Sequence, residues 1–297
     1  MDTVDIIKLV LLLIGSYFMG NISFARILSK AKKGDITKSG SGNPGSMNML
    51  RTYGAKMGFL TLFLDALKAA VPALVGQLLF GFYSYYGNIA MYSAGLAVIL
   101  GHNFPVCYKF KGGKGIACTI GMFAIADPIW TLIFFILAFI ALWFIDYGSL
   151  ISLSIISALV IVEGLKNQGN LVVCLLLFAI FTLAWILHRS NIRRLLVGKE
   201  NKANLQKSIR KRFNKENRNA RKEYRKEKNE IKTEYRHEVE KIKDDKEKYK
   251  QEREKYLLER RQKKLEYQNK KRKVYNYNYI LNIVSTQNED ENDKDNE

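Results

Sequence analysis

The chain has 297 residues, 48% of them hydrophobic, and it carries 47 Lys and Arg against 28 Asp and Glu, a formal net charge of +19. These properties are segregated along the sequence. Residues 1–198 hold 16 basic and 7 acidic side chains among long apolar stretches, whereas the remainder holds 31 and 21 with almost no aliphatic run. The pattern excludes a single water-soluble globular domain. It predicts a membrane domain over residues 1–204 and a charged tail over residues 205–297.

The N-terminal apolar stretch, residues 6–27, is long enough to span a bilayer and is followed by further such stretches. This favours an uncleaved first helix over a signal peptide. The three cysteines, Cys107, Cys118 and Cys174, show no C-x-x-C spacing. We therefore assign them to packing and expect no disulfide framework, no metal site and no cofactor.

Apolar stretches predict an all-α polytopic integral membrane protein with about seven transmembrane helices. The stretches cover residues 6–27, 57–80, 86–103, 115–127, 129–145, 149–164 and 170–188. Several are shorter than the ~20 residues that cross a bilayer, so the fourth and sixth are candidates for half-spanning helices. Between five and seven crossings are consistent with the sequence.

Basic residues predict the orientation, because short cytoplasmic loops collect Lys and Arg. Three regions are rich in them: residues 30–56, residues 109–114 and the chain from Arg189 onward. The turns between these regions contain a single basic residue, Lys166. With seven crossings, we expect a multi-pass protein of the cell (plasma) membrane with its N-terminus outside and its C-terminus in the cytoplasm.

Two glycine-rich loops combine flexible backbone with fixed positive charge. Residues 40–51 end at Arg51, and residues 101–115 include Lys114 after two glycines. Glycine lets backbone N–H groups approach an anion closely, so both loops predict phosphate binding. The first loop matches G-x-G-x-x-G, but no strand precedes it and Pro44 removes a donor. The second loop lacks the Ser or Thr that follows the lysine of a P-loop.

Further polar residues are placed near these loops. Asp65 and Lys68 share a helix face, where they either neutralise each other or face the site. His188 and Asn191 lie one turn apart at the end of the last apolar stretch. A third turn around Ser149 offers hydroxyl groups, although its small residues also suit tight helix packing.

The tail has no Pro or Gly between residues 199 and 273 and is dominated by charged residues and Gln, which favours a charged helical extension. One apolar seam recurs every seven residues from Tyr235 to Tyr256, but the complementary seam is acidic. A coiled coil needs both seams apolar, so we expect a single charged helix or a partly disordered extension. Contact with anionic lipid, or with a protein, is its candidate role. The acidic end, residues 289–297, is expected to be unstructured.

These residues together resemble the bacterial acyl-phosphate-dependent glycerol-3-phosphate acyltransferase family, PlsY. The resemblance runs from about Gly20 to Lys202 and is carried by three segments: Ser41-Gly42-Asn43 with Gly45, Asn48 and Arg51; Gly101-His102-Asn103-Phe104-Pro105 with Gly112-Gly113-Lys114-Gly115; and His188 with Asn191, Arg194, Leu195, Gly198 and Glu200. The family implies an integral membrane enzyme that transfers a fatty acyl group from acyl phosphate to glycerol 3-phosphate, giving lysophosphatidic acid. It implies no cofactor, and its partners are the two substrates and membrane lipid.

The resemblance also implies roles for particular residues. Substrate binding is implied for Ser41, Gly42, Asn43, Gly45, Asn48, Arg51, His102, Asn103, Lys114 and Asn191, and catalytic roles for His188 and Ser149. Some positions depart from the family pattern: Ser46 and Met47 stand where Ala and Thr are usual, and Asp146 where a basic residue is common. The long tail has no counterpart in typical members.

We therefore expect acyl transfer to the 1-position of glycerol 3-phosphate in phospholipid synthesis, with catalysis by proximity and charge stabilisation. The alternative is a transporter of a phosphorylated solute, since basic loops beside short helices also suit translocation. No internal repeat supports that alternative. A membrane anchor whose tail binds nucleic acid is a second alternative, but the tail alternates Glu with Lys, so no nucleic-acid partner is expected.

Overall fold

The computed structural model describes residues 1–241, residue 245 and residues 247–269. It divides the chain into two compact units, Met1–Leu205 and Gln206–Glu297. Across the described residues every regular element is a helix, which confirms the all-α prediction.

The first unit contains α1 (Thr3–Asn21), α2 (Phe24–Ala31), α3 (Ser46–Tyr53), α4 (Ala55–Phe80), α5 (Tyr85–Asn103), α6 (Ile116–Ala126), α7 (Pro128–Ile145), α8 (Gly148–Lys166), α9 (Leu171–Leu187) and α10 (Arg189–Leu196). All seven predicted apolar stretches correspond to helices. Sequence reasoning missed the two short helices α3 and α10, which lie in segments too polar to give a hydropathy signal.

Among the described residues, five helices are long and apolar enough to cross a membrane, or six when the bent pair α9 and α10 is one span. The two helices of that pair meet at 53°. The helix missing from the predicted seven is α6, which has only 11 residues. The protein is therefore a multi-pass membrane protein. Its number of full-length spans lies within the predicted range of five to seven, and the fourth stretch is short, as predicted.

The first predicted helix is interrupted. α1 ends at Asn21, Ile22 is extended, and α2 begins at Phe24. Such a break frees the last carbonyls of α1 from the helical ladder. The ammonium of Lys68 donates to the carbonyls of Gly20 and Ile22, at 3.2 and 2.6 Å. A cation on α4 thus stabilises a break in α1 that the local sequence does not reveal.

The chain doubles back between α5 and α6. The N–H groups of Gly112 and Gly113 donate to the carbonyls of Asn103 and His102, at 3.1 and 3.0 Å. A Cβ on Gly112 would lie 2.0 Å from the His102 carbonyl oxygen, and a Cβ on Gly113 would lie 2.1 Å from His102 Nε2. These two glycines are therefore required for the close approach, which places Lys114 beside the end of α5.

The main core lies between α4, α5, α6, α8 and α9, and its largest fully buried side chains include Tyr92, Phe123 and Met122. Cys118 lies in this core, as predicted. Cys174 is partly buried and donates from its thiol to the Asn167 carbonyl, at 3.3 Å. Cys107 is exposed, so its assignment to packing was wrong, and all three thiols are free.

In the second unit, α11 (Leu205–Lys241) is followed by α12 over residues 247–269. The tyrosine rings at 224 and 267 stack at 4.6 Å, and those at 235 and 256 at 4.3 Å. Lys263 on α12 pairs with Glu227 on α11, at 3.6 Å. Residues that lie later along α11 contact residues that lie earlier along α12, so the two helices are antiparallel. The expectation of one continuous helix was wrong, and the acidic end at 289–297 lies outside the described residues.

Candidate active site

A cavity of about 890 Å³ opens within the first unit, and all the residues that line it lie between Arg26 and Arg194. It collects the predicted site residues Ser41, Gly42, Asn43, Gly45, Asn48, Arg51, His102, Lys114, Ser149, His188 and Asn191. Asn103 is the exception, since its buried side chain lies against Gly115 and does not line the cavity. The fold therefore brings three separate segments of the sequence to one place.

Glu200 organises one wall of this cavity. Its Oε1 accepts hydrogen bonds from the Ser149 hydroxyl at 2.9 Å and from the Asn191 amide at 2.6 Å. Its Oε2 accepts from Arg194 Nε at 2.7 Å. Burial raises the pKa of the Glu200 carboxyl, but these three hydrogen bonds outweigh burial and hold that pKa below its ordinary value. Glu200 is thus an ionised carboxylate that fixes three side chains at once.

The orientation of Asn191 follows from this contact. Because its amide nitrogen donates to Glu200, its amide oxygen is directed to Lys114, whose ammonium donates to it. A lysine ammonium has three donors, so Lys114 keeps others for a ligand. Glu200 therefore positions Lys114 through Asn191.

Arg51 holds the chain that follows α10 over the site. Its Nε donates to the Lys202 carbonyl and its Nη2 to the Asn201 carbonyl, both at 2.9 Å. Asp146 supports the same segment, because its carbonyl accepts from Ala203 N–H at 2.7 Å. Arg51 thus has a structural contact that the sequence did not predict, and its guanidinium still lines the cavity.

The site carries an excess of positive charge. Burial, and then the nearby charges of Arg194 and Arg51, lower the pKa of Lys114 to about 8, although Glu200 opposes this shift. Three cations therefore gather around the carboxylate of Glu200 at a partly dehydrated cavity, and Asp146 lies near Arg51 as a further negative charge. Such an arrangement favours an anionic ligand, which restores the charge balance and stabilises the protonated lysine.

Asn48 shapes the first glycine-rich loop. Its amide nitrogen donates to the carbonyls of Ile36 at 3.1 Å and Ser39 at 2.9 Å, and its oxygen accepts from Ser41 N–H at 3.0 Å. Gly40 passes with a positive φ so close to Asn48 that a Cβ would lie 2.2 Å from the amide oxygen. All the polar atoms of Asn48 are thus engaged, and this residue positions Ser41 without a free group for substrate.

The two histidines of the cavity are held in opposite tautomers. His188 Nδ1 lies 2.8 Å from the Ala184 carbonyl, which can only accept, so Nδ1 carries the proton and Nε2 has a lone pair. His102 Nδ1 lies 2.9 Å from the Lys68 ammonium, which only donates, so the proton of a neutral ring is on Nε2. The cavity is therefore supplied with a hydrogen-bond acceptor at His188 and a donor at His102.

Lys68 also pairs with Asp65 at 2.9 Å, and both side chains are almost completely buried, with 3% and 2% exposure. Asp65 and His102 line the cavity, whereas Lys68 does not. Both readings of the Asp65 and Lys68 pair therefore apply: the charges neutralise each other, and the pair fixes a histidine at the site.

An apolar slot continues from the polar part of the cavity. It is lined from four helices by Phe59 and Leu62, Ile116 and Ile120, Phe135, Phe139 and Leu142, and Ile151 and Ile155. Few residues of α7 are enclosed by protein, since only 6% of its span is buried. The cavity thus joins a cationic cup to a slot suited to a hydrocarbon chain.

Sequence reasoning noted Glu200 and Arg194 within the family motif but did not select them as site residues. The only sequence signal for these two residues was their position in the polar segment directly after the last apolar stretch. Among the described residues, no group of three His, Cys, Asp or Glu side chains is arranged to hold a metal ion.

A polytopic helical membrane protein with a cationic cup beside an apolar slot is built to handle an amphiphilic anion. The family model for glycerol-3-phosphate acyltransferase matches residues 10–198. The chain therefore belongs to the glycerol-3-phosphate acyltransferase family and is an acyltransferase.

Individual relatives agree. The glycerol-3-phosphate acyltransferase of Sinorhizobium medicae (strain WSM419) is 42% identical over 192 residues, covering 64% of this chain and 90% of that protein. The acyltransferase of Finegoldia magna is 39% identical over 196 residues, covering 65% and 96%. The crystal structure of PlsY, an integral membrane glycerol 3-phosphate acyltransferase, in its glycerol 3-phosphate form is 35% identical with a TM-score of 0.60, covering 66% and 95%. These matches argue against the transporter alternative.

Proposed function

We propose that residues 1–204 transfer a fatty acyl group from acyl phosphate to the 1-hydroxyl of glycerol 3-phosphate, giving lysophosphatidic acid. The observation that carries this proposal is the cluster of Arg51, Lys114 and Arg194 around the carboxylate of Glu200, next to an apolar slot. The relatives are glycerol-3-phosphate acyltransferases, and PlsY has been crystallised in glycerol 3-phosphate and lysophosphatidic acid forms.

Both proposed substrates are anions that repel each other. Lys114 and Arg51 offset this repulsion through charge-assisted hydrogen bonds to the phosphate groups, and the loop of Ser41 and Asn43 supplies further polar contacts. The acyl chain occupies the apolar slot, which directs its carbonyl carbon toward the cationic cup. Most of the rate gain then comes from orientation and electrostatic stabilisation.

In the proposed step, the glycerol hydroxyl oxygen bonds to the acyl carbonyl carbon and the bond to the phosphate oxygen breaks. The hydroxyl proton passes to the departing phosphate, so inorganic phosphate is released. His188 aligns the hydroxyl, because its Nε2 has the lone pair that accepts a hydrogen bond. Ser149 acts by positioning, since its hydroxyl donates to the Glu200 carboxylate, whose lowered pKa makes it a weak base.

The donor is tested with purified full-length protein and a labelled acyl chain presented as acyl phosphate, acyl-CoA or acyl carrier protein. We expect lysophosphatidic acid from acyl phosphate alone. The matched control is the His188→Gln variant, which keeps a polar side chain and loses most of the rate. Efficient use of acyl-CoA as the sole donor would overturn the proposed donor while leaving the acyltransferase assignment intact.

We also propose that the N-terminus is outside the cell membrane and the C-terminus is cytoplasmic, because the basic loops cluster on one side. This topology takes the short α6 as a seventh crossing, which returns through α7. Exposed positions suit a cysteine-labelling test in a background without native cysteines. Lys56→Cys and Lys111→Cys should label only from the cytoplasm, and Tyr83→Cys and Gln168→Cys only from outside. Labelling of Lys56→Cys and Lys111→Cys from opposite faces would contradict this topology.

A further inference from the structure

The second unit contains a basic groove that the acyltransferase reaction does not use. The groove lies between α11 and α12 and has a volume of about 530 Å³. We define it by the residues Arg218, Arg221, Tyr224, Arg225, Lys228 and Tyr267. The spacing of the four cations along α11 places them on one helix face.

The cations of the groove are set apart by their convergence on one cavity. Some other cations of the tail pair with carboxylates, as Lys241 does with Glu238 at 2.7 Å and Lys263 with Glu227 at 3.6 Å. Within the described part of the chain, none of the three groove arginines has a carboxylate within salt-bridge distance, and all three are exposed. The stacked tyrosine pair forms the wall beside them. The groove thus presents unneutralised guanidinium groups on a rigid support.

Charge is also segregated along the hairpin. Residues 207–228 contain 11 basic and 3 acidic residues, whereas residues 229–256 contain nine of each. The basic half is the one that follows the membrane unit, since α11 begins at Leu205, nine residues after α10 ends at Leu196. The chain therefore concentrates the positive charge of the hairpin in the residues that are nearest in sequence to the membrane unit.

We propose that the basic groove binds the phosphate headgroups of anionic phospholipids in the membrane that holds the first unit. Guanidinium groups match phosphate oxygens in a bidentate geometry and are weakly hydrated, which suits a crowded headgroup layer. Basic segments next to a membrane span are attracted to anionic leaflets. A nucleic acid would require a longer basic stripe, but the distal half of the hairpin is electrically balanced.

The test uses the full chain in nanodiscs of phosphatidylcholine and measures co-flotation with added liposomes. Liposomes with about 30% phosphatidylglycerol should capture the protein, phosphatidylcholine liposomes should not, and capture should weaken as salt rises. Replacing the three groove arginines with glutamine should weaken capture on the order of 100-fold. Replacing them with lysine should keep more capture than glutamine but less than arginine, because the charge remains while the bidentate contact is lost.

The matched control removes three cations from the balanced half: Lys232→Gln, Arg236→Gln and Lys250→Gln. It should change capture less than about threefold. Equal loss in both triple variants would overturn the groove and indicate a net-charge effect. Displacement by inorganic phosphate at constant ionic strength would identify a free-phosphate site, and tighter binding to a single-stranded oligonucleotide than to the liposomes would identify a nucleic-acid site. Either result would overturn the lipid proposal.

Discussion

The two units of this protein use positive charge in opposite ways. In the membrane unit, Lys114 is held by Asn191, Arg194 by Glu200, and Arg51 by backbone carbonyls. In the tail, the groove arginines are exposed and have no carboxylate partner among the described residues. Fixed, buried cations recognise one ligand geometry with little screening by salt, whereas exposed cations attract any anionic surface and are screened. The two units therefore differ less in how much positive charge they carry than in how firmly their cations are held in place. This difference distinguishes the proposed catalytic unit from the proposed lipid-binding unit.

The largest effect is expected for Glu200→Gln, which removes the charge that holds Ser149, Asn191 and Arg194 together. Breaking a buried charged network costs about 3 kcal/mol or more, so kcat/KM should fall on the order of 100-fold. Glu163→Gln is the matched control, because Glu163 is also buried but bonds to Tyr92 away from the cavity. It should lower thermal stability and leave KM unchanged. Wild-type kinetics in Glu200→Gln would contradict the organising role of this carboxylate.

Lys68→Met should lower the free energy of unfolding by about 3 kcal/mol, since the carboxylate of Asp65 is left buried and unpaired. Thermal unfolding in detergent measures this change. The double variant Asp65→Asn/Lys68→Met should recover most of the loss. Lys8→Met is the control, because Lys8 pairs with Asp5 at 3.3 Å with 44% and 33% exposure and should cost less than about 1 kcal/mol. An equal loss of unfolding free energy in Lys68→Met and Lys8→Met would show that the burial of an ion pair does not determine how much stability its removal costs.

Lys114→Ala should raise KM for a phosphorylated substrate about 10-fold to 100-fold, because a charge-assisted contact worth about 1.5 to 3 kcal/mol is lost. Arg51→Ala should act in the same direction and also loosen the backbone at Asn201 and Lys202. Steady-state kinetics at fixed donor concentration separates KM from kcat. The exposed Lys56→Ala, outside the cavity, should have no effect, and an equal effect there would mean that only the overall charge matters.

The pH dependence of KM should follow Lys114. Burial and the neighbouring cations lower its pKa to about 8, so the ammonium is present below that pH and is lost as pH rises through it. We expect KM for the phosphorylated substrate to rise above pH 8, by at most about tenfold per pH unit. Lys114→Arg keeps its charge at these pH values and should flatten the profile. A profile that is unchanged by this substitution would assign the titration to another group.

The smallest effect is expected for truncation after Leu205. The residues that line the cavity all precede the tail, so kcat and KM should stay within about twofold of the full chain. The membrane unit must remain folded, which gel filtration in detergent checks. A truncated protein that folds but has lost its activity would show that the tail completes the site.

Much of the membrane unit follows from sequence because its signals are local. Apolar stretches give the helices, and glycine and lysine spacing identifies the loop around Lys114. Contacts between distant residues leave no such signal. The break after Asn21 depends on Lys68 in another helix, and the central role of Glu200 depends on three partners in separate segments.

The tail shows a second limit. Sequence reasoning required two apolar seams for helix pairing, but the structure joins the helices through stacked tyrosines and an ion pair. Aromatic faces supply contact area with a polar tip, so a seam can pair helices without being aliphatic. The heptad test counted these tyrosines but assumed one uninterrupted helix, whereas Tyr235 and Tyr256 of the same seam stack on each other across the hairpin.

α7 forms one wall of the apolar slot, and only 6% of the residues in its span are buried by protein. For the proposed reaction, this makes the bilayer itself the route of supply and release. A donor's acyl tail can pass sideways from the lipid past α7 into the slot, and the single-chain product can return the same way. Exposing the chain to water would cost about 0.8 kcal/mol for each methylene, and a chain that stays in hydrocarbon avoids this cost. The rate of product release is therefore governed by how quickly the headgroup leaves the cationic cup, and not by the chain.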